Sequence, residues 1–469
     1  MESAATGLCG SLSLFEQILS QDTDNITFKN SKLIKYVDDL LLASTDAETC
    51  QEDSKHLLLE LHKRGHKISK DKVQWCLPKV EYLGFILTAD ARYISPKRIE
   101  NIQNLSAPTT KKQLRAILGA TGFCRQWIPC YGEITKPLKA LTKNSVPEPL
   151  KLEPEHLSAL SDLKKAIMSA PALGTPDYNK PFTLYVHERR GVASGVLTQT
   201  LGPSQRPIAY YSAQLDPVAA GAPPCLRGVA ATALLVTKTV DLVLGCPLTI
   251  MCPHEVEALL IKHRTQAFSD QRITRYEITL LNSENITLKL CTTLNPATLL
   301  PDLPNSGEPL HSCETLVSMA EKPRDNLLDT PLDNADLILF TDGSSFMRDG
   351  IRYTGAALVS EFATEWSASL PSNISAQGAE FIALKQACII AKDKKATIYT
   401  DSRYAFGICH SVGMLWLQRG FLTSAGKSIT NAEIINEVLS ALLKLPEALA
   451  VVHCSAHTGG TDPVSRGND

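Results

Sequence analysis

The feature that most constrains this chain is an internal repeat, in which one order of strands and helix occurs twice in the second half. The apolar run 182–186 ends at His187, and the apolar run 337–341 ends at Asp342. Each is followed by a Gly-containing strand pattern, 191–199 and 353–360, and then by a third strand, 207–211 and 365–370. Helical spacing comes next in both, over 229–238 and 379–392, and then another strand, 248–251 and 396–400. Two-residue and 3.6-residue periods alternating in that order predict a mixed α/β unit, so the chain should hold two of them. They differ where strands end, because the first copy runs into Cys252-Pro253 and the second ends in Asp401. Residues 301–336, rich in Pro, Asp, Glu and Asn, have the composition of a linker between them.

The first half has no such repeat. Residues 11–20 suit an amphipathic helix, and 33–37 and 40–42 are short strand-like runs with Asp38-Asp39 between them. Residues 47–64 read as a helix with Leu57, Leu58 and Leu61 on one face and Gly65 as its stop. Residues 81–87 look like half of a hairpin, and 111–143 carry helical periodicity that should break at Pro129 and Pro137. At 469 residues there is room for about three domains of ordinary size. The net charge of −2 hides an asymmetry, since residues 54–143 hold 17 Lys and Arg against 6 Asp and Glu. A basic segment of this kind is either a solvated helical surface or a surface for phosphate.

Thirteen cysteines include no Cys-x-x-Cys pair, and His453-Cys454 with His457 lacks two further ligands for structural zinc, so the cysteines read as free thiols in a reducing compartment. No basic and apolar leader opens the chain, and the apolar run 229–245 is interrupted by Lys238 and Asp241. The expectation is an intracellular protein without a membrane span.

Chemistry concentrates in the second repeat. A divalent-metal nuclease needs carboxylates converging on one point, because Mg²⁺ prefers oxygen ligands and a pair of ions can hold both attacking and leaving oxygens of a phosphodiester. Asp342 terminates one apolar strand, Glu380 opens a helix, and Asp401 terminates another strand. Each alone has an ordinary structural reading: Asp-Gly-Ser is a common turn, Glu suits a first helical turn and Asp-Ser is a common cap. The three in this order point instead to a metal site.

These residues carry a resemblance. Phe340-Thr341-Asp342-Gly343-Ser344-Ser345, Gly378-Ala379-Glu380-Phe381-Ile382-Ala383-Leu384, Tyr399-Thr400-Asp401-Ser402-Arg403-Tyr404 and His453-Cys454-Ser455-Ala456-His457 resemble the ribonuclease H domain of retroviral reverse transcriptases, of the gammaretroviral, murine-leukaemia-type branch and related endogenous elements. Tyr36-Val37-Asp38-Asp39-Leu40, Gly122-Phe123-Cys124-Arg125-Gln126-Trp127 and Leu294-Asn295-Pro296-Ala297-Thr298 look like the same family, so the resemblance spans nearly the whole chain.

It implies an α/β and α+β multidomain protein. The parts are a partial polymerase palm over 1–90, a helical thumb over 91–150, a ribonuclease H-like connection without the acids over 151–300, the linker 301–336, and a ribonuclease H domain over 337–469 truncated at its C-terminus. Asp342, Glu380 and Asp401 would hold Mg²⁺ or Mn²⁺ for cleavage of the RNA strand of an RNA–DNA hybrid, and His457 would assist water delivery or product release. The family's fourth acid lies about a helical turn past Gly467-Asn468, and this chain stops at Asp469. Asp38 and Asp39 would be a polymerase remnant, and an acid pair inside an apolar stretch is costly unless it meets metal or cations. Tyr82 and Gly84 would belong to a primer grip, and Lys111, Lys112, Arg115, Arg125 and Arg403 would contact nucleic acid. Residues 411–420, where a basic hybrid-gripping helix is expected, hold only Arg419 as a charge. The earlier palm Asp and the fingers have no counterpart ahead of Tyr36, so polymerase activity of this chain alone is not expected. The implied partners are hybrid and duplex nucleic acid, a missing N-terminal polymerase half and other pol products, in the cytoplasm, a virion or the nucleus. The rival readings are a nucleic-acid-binding protein without catalysis and the product of a decayed endogenous locus.

Overall fold

The computed structural model describes residues 11–262, 267–292, 295–297, 311–321, 324, 326–423, 425–445 and 447–455. The chain divides into two compact units, the first made of Met1–Pro129, Ile134–Asp177 and Thr200–Tyr210 and the second of Cys130–Glu133, Tyr178–Gln199 and Tyr211–Asp469.

In the first unit α1 (Ser11–Asp24) precedes an antiparallel pair, β1 (Ser31–Tyr36) and β2 (Asp39–Ser44), in which Tyr36 faces Asp39 across a two-residue turn. Val37 holds φ +52° there, a left-handed conformation that strains a β-branched residue. Next, α2 (Ala47–Lys63) starts where Asp46 accepts from the Thr49 N–H and stops at Arg64, ahead of Gly65 at φ +83°. Its inner face buries Leu57 and Leu61 against Leu19 and Ile26. The meander β3 (Lys79–Tyr82), β4 (Phe85–Thr88) and β5 (Ala91–Ile94) gains β6 (Leu173–Gly174) as a fourth strand. Between come α3 (Pro96–Gln103), α4 (Lys111–Gly122), α5 (Tyr131–Ala140) and α6 (Pro154–Met168). Pro129 falls between helices, but Pro137 lies inside α5. The ring already has a helical φ and costs one backbone hydrogen bond, and Leu138, 1 % exposed, supplies burial against that cost.

The first repeat comprises β7 (Phe182–Arg189), β8 (Val192–Leu201), β9 (Ser204–Gln214), α7 (Pro217–Ala220), α8 (Pro224–Val243), β10 (Leu248–Cys252), α9 (Val256–Lys262), α10 (Asp270–Leu280) and β11 (Ile286–Leu290), with sheet order β11-β10-β7-β8-β9. In the segment expected as linker, the described residues form α11 (Cys313–Glu321) and β12 (Leu327–Leu328). The second repeat follows as β13 (Leu337–Arg348), β14 (Ile351–Ser360), β15 (Thr364–Leu370), α12 (Ala376–Ile390), β16 (Ala396–Thr400), α13 (Arg403–Gly407), α14 (Gly413–Gln418), α15 (Ala432–Leu443) and β17 (Leu449–His453). Its sheet order is β12-β17-β16-β13-β14-β15, so β12 adds an edge strand through Leu327 opposite Leu449. Every residue of β16 is buried, as in a parallel strand covered on both faces. Phe381, Leu384, Ile398, Ile435 and Leu439 fill the core between this sheet and its helices. Among the described residues no helix is long and apolar enough to cross a membrane.

Candidate metal-dependent active site

Register brings the first two acids together. Strands β13 and β16 run parallel, and their last paired residues are Thr341 and Thr400, so Asp342 and Asp401 each follow the final pair on neighbouring strands. The buried Thr341 hydroxyl donates to the Tyr399 carbonyl at 3.1 Å, and the Phe340 and Tyr399 rings stack at 5.1 Å, which fixes that register. Asp342 does not terminate its strand, nor is Asp-Gly-Ser a turn: β13 continues to Arg348, paired antiparallel with β14 around Asp349-Gly350 at φ +51° and +76°. Only the parallel ladder ends at the acid, where the polar half of the strand takes its hydrogen bonds from β14 alone.

Glu380 arrives from above the sheet. Helix α12 opens at Ala376, with the Ser375 hydroxyl accepting from the Gly378 N–H, so Glu380 is its fifth residue and not its first. The Gly343 N–H donates to Glu380 Oε1 at 3.0 Å. A Cβ on Gly343 would lie 2.3 Å from the Glu380 backbone nitrogen, so only glycine lets helix and strand approach this closely. Ligand oxygens of Asp342, Glu380 and Asp401 all lie within 4.8 Å of one another. Glu380 is 9 % exposed and its Oε2 is buried without a hydrogen-bond partner among the described residues. Burial pushes its carboxyl up to about 8, with help from the Asp401 and Asp342 charges and against the Gly343 N–H. An orphaned, desolvated oxygen aimed at two further carboxylates fits a divalent cation, which would satisfy it and neutralise the mutual repulsion. Beside Asp342 a shallow, open cavity of about 300 Å³ runs over small residues, Ser344, Gly355, Ala357, Ser367 and Ser369.

The sequence reading missed Gly343, whose only signal was its place after the acid. His457 lies outside the described residues. Arg403, first residue of α13, is exposed. Arg419 is turned into its own chain: its guanidinium sits 5.4 Å from the Trp416 ring centre, its Nε is buried, and its Cβ would be 2.0 Å from a Cβ on Gly221. Burial, reinforced by Arg272, lowers its basicity.

In the first unit Asp38 and Asp39 are both exposed, so the burial cost expected of them is not incurred. Among the described residues no third His, Cys or acid joins them in a group able to hold a metal. Tyr82 lines a cavity of about 370 Å³ together with Asp38. Its hydroxyl is enclosed without a hydrogen-bond partner among the described residues, and burial, then the Asp39 charge, pushes its pKa up. Leu83 and Gly84 form the hairpin turn at φ +52° and +73°, with the Arg98 guanidinium packed over Gly84 and donating to the Leu83 carbonyl at 3.2 Å. Lys112, Arg115 and Arg125 are exposed, whereas Lys111 is half-buried.

Comparison with known proteins agrees with this layout. The family model for RNase H matches residues 334–469, that for the RNase H-like domain found in reverse transcriptase matches 152–250, and that for reverse transcriptase (RNA-dependent DNA polymerase) matches 5–87. The Gag-Pol polyprotein of baboon endogenous virus (strain M7) is 46 % identical over 464 residues, 98 % of this chain. The chain belongs to the retroviral Pol family. It corresponds to the reverse transcriptase and ribonuclease H region, and covers 27 % of that polyprotein and 44 % of the Pol polyprotein of feline endogenous virus ECE1, which is 45 % identical over 98 % of this chain. Among solved structures, the foamy viral protease-reverse transcriptase in complex with RNA/DNA hybrid aligns over 99 % of this chain and 60 % of its own, at TM-score 0.53 and 23 % identity. The same viral protein in complex with dsDNA aligns over 64 % of this chain and 60 % of its own, at TM-score 0.55 and 25 % identity.

Proposed function

We propose that this Pol region cleaves the RNA strand of RNA–DNA hybrids at Asp342, Glu380 and Asp401. The observation that carries the reading is the convergence of the three carboxylates on one point, with one Glu380 oxygen buried and without a hydrogen-bond partner among the described residues. Mg²⁺ or Mn²⁺ held there would supply Lewis-acid polarisation of a phosphodiester and a nucleophile at neutral pH. Asp342, the most exposed of the three, faces the open cavity and is placed to meet the scissile phosphate, while Gly343 and Ser375 fix the helix that presents Glu380. The small side chains along β14 and β15 let a nucleic-acid backbone approach Asp342, and the hybrid would be read by shape and 2′-hydroxyls. Exposed Lys112, Arg115 and Arg125 would hold duplex phosphates. Asp38 and Asp39 are the polymerase acids that this segment would contribute, and Tyr82 and Gly84 its primer grip.

The test is a cleavage assay on labelled hybrid with the purified chain and Mg²⁺ or Mn²⁺. Asp342→Asn keeps shape and removes one anionic ligand. It should lower cleavage by about three orders of magnitude, the equivalent of several kcal/mol of charge stabilisation. Hybrid affinity should hardly change. Cleavage that persists in Asp342→Asn would sink the assignment and leave nucleic-acid binding without catalysis.

A further inference from the structure

The first repeat has no acid at the three positions that Asp342, Glu380 and Asp401 take in the second, and something else stands in their place. Its parallel ladder between β7 and β10 ends at Tyr185 opposite Met251, so Val186 and Cys252 follow the final pair where Asp342 and Asp401 do in the second copy. The sequence had aligned His187 with Asp342, one residue later. Glu380 is the fifth residue of α12, and the fifth residue of α8 is Gly228. The space that the missing side chain leaves is filled by a ring, for a Cβ on Gly228 would lie 2.4 Å from His254 Cδ2.

His254, two residues beyond β10, meets three other groups at that end of the sheet. Cys225 lies in the first turn of α8, and His311 and Cys313 lie at the start of α11. Cys225 Sγ is 3.2 Å from His311 Nε2, Cys313 Sγ is 3.5 Å from the same nitrogen, and Cys313 Sγ is 3.8 Å from His254 Nδ1. The two rings are 5.3 Å apart between centres, and all four ligand atoms lie within 4.8 Å of one another. Both sulfurs are on buried residues, Cys225 at 0 % and Cys313 at 2 % exposure. Bonds of about 2.3 Å to sulfur and about 2.0 Å to nitrogen in a tetrahedron require S···N edges of about 3.5 Å, the range observed here.

We propose that Cys225, His254, His311 and Cys313 form a structural Zn²⁺ site that fastens α11 to α8 and β10. Two sulfurs and two imidazole nitrogens select zinc over the hard Mg²⁺ that suits the carboxylates of the second repeat. A closed four-ligand set leaves no position for a substrate, so the role is structural. Spacings of 29, 57 and 2 residues fit no finger pattern, which is why the sequence offered only free thiols. Because α11 packs against both α8 and α14, the metal would fix the segment that leads from one repeat into the next.

The experiment uses the full chain purified under reducing conditions. Elemental analysis should find about one zinc per chain, retained in Asp342→Asn and lost in Cys225→Ser and in Cys313→Ser. Cobalt exchanged into the unaltered protein should show thiolate-to-metal charge transfer and intense tetrahedral bands, a readout that does not depend on any variant folding. Zinc content unchanged by both Ser substitutions would overturn the proposal. So would cobalt spectra of an oxygen-ligated ion alone, or mass-mapping that finds Cys225 joined to Cys313 as a disulfide in the reduced preparation.

Discussion

At the scale of single residues, Glu380 combines a cost to folding with the proposed role in cleavage. Its carboxyl is pushed up to about 8 by burial first, then by the Asp401 and Asp342 charges, against the Gly343 N–H. A raised acid stabilises the fold only below its unfolded value, near 4.5, and loses that contribution as pH rises through 8. Stability of the metal-free chain should therefore fall between those limits by up to about 1.4 kcal/mol per pH unit from this group. Glu380→Gln does not titrate. In chelator it should match the parent near pH 5 and exceed it at pH 8.5 in denaturant unfolding, while cleavage is lost. Equal stability at both pH values would show that Glu380 is not desolvated. Gly343→Ala acts by volume: its Cβ must displace α12, at about 1–3 kcal/mol, and should cut cleavage at least tenfold. A variant with normal cleavage and unchanged midpoint would refute the close approach of strand and helix.

At the scale of elements, α4 and the short 3₁₀ turn after it carry the exposed cations. The Thr110–Gln113 capping box and the buried Leu114 and Ile117 define one face of α4, which leaves Lys112 and Arg115 on the other. Arg125 follows in the turn Arg125–Trp127, where Trp127 is buried and donates to the Arg92 carbonyl at 3.2 Å. If these three bind phosphate, changing all of them to Ala should weaken duplex affinity and flatten its log–log salt dependence by about two to three units. An unchanged slope, measured by fluorescence anisotropy between low and moderate salt, would make the basic segment a solvated surface only.

At the scale of the whole molecule, binding and cleavage should separate. The cations of α4 belong to one compact unit and the carboxylates to the other. Without shared partners their effects should add in free energy, so Asp342→Asn combined with the triple Ala change should lower kcat/KM by the product of the separate factors. A combined loss well short of that product would show that the two groups act as one device. Much of this organisation was legible in the sequence, because strand and helix periods are set by side-chain pattern alone: the doubled α/β order, the Asp38-Asp39 hairpin, the helix stop at Gly65 and the three acids at strand and helix positions. What the pattern could not give was anything decided by register or by distant chain segments meeting. Strand β13 runs on past Asp342 because β14 pairs with its polar half. Helix α5 keeps Pro137 because burial of its neighbour offsets a lost hydrogen bond. Arg419 is charged in sequence but half-buried against Trp416 in space, with its Nε enclosed. Cys225, His254, His311 and Cys313 are scattered along the chain, and only the packing of α8, β10 and α11 brings their sulfurs and nitrogens to one point, since ligand geometry is a property of the folded backbone and not of spacing.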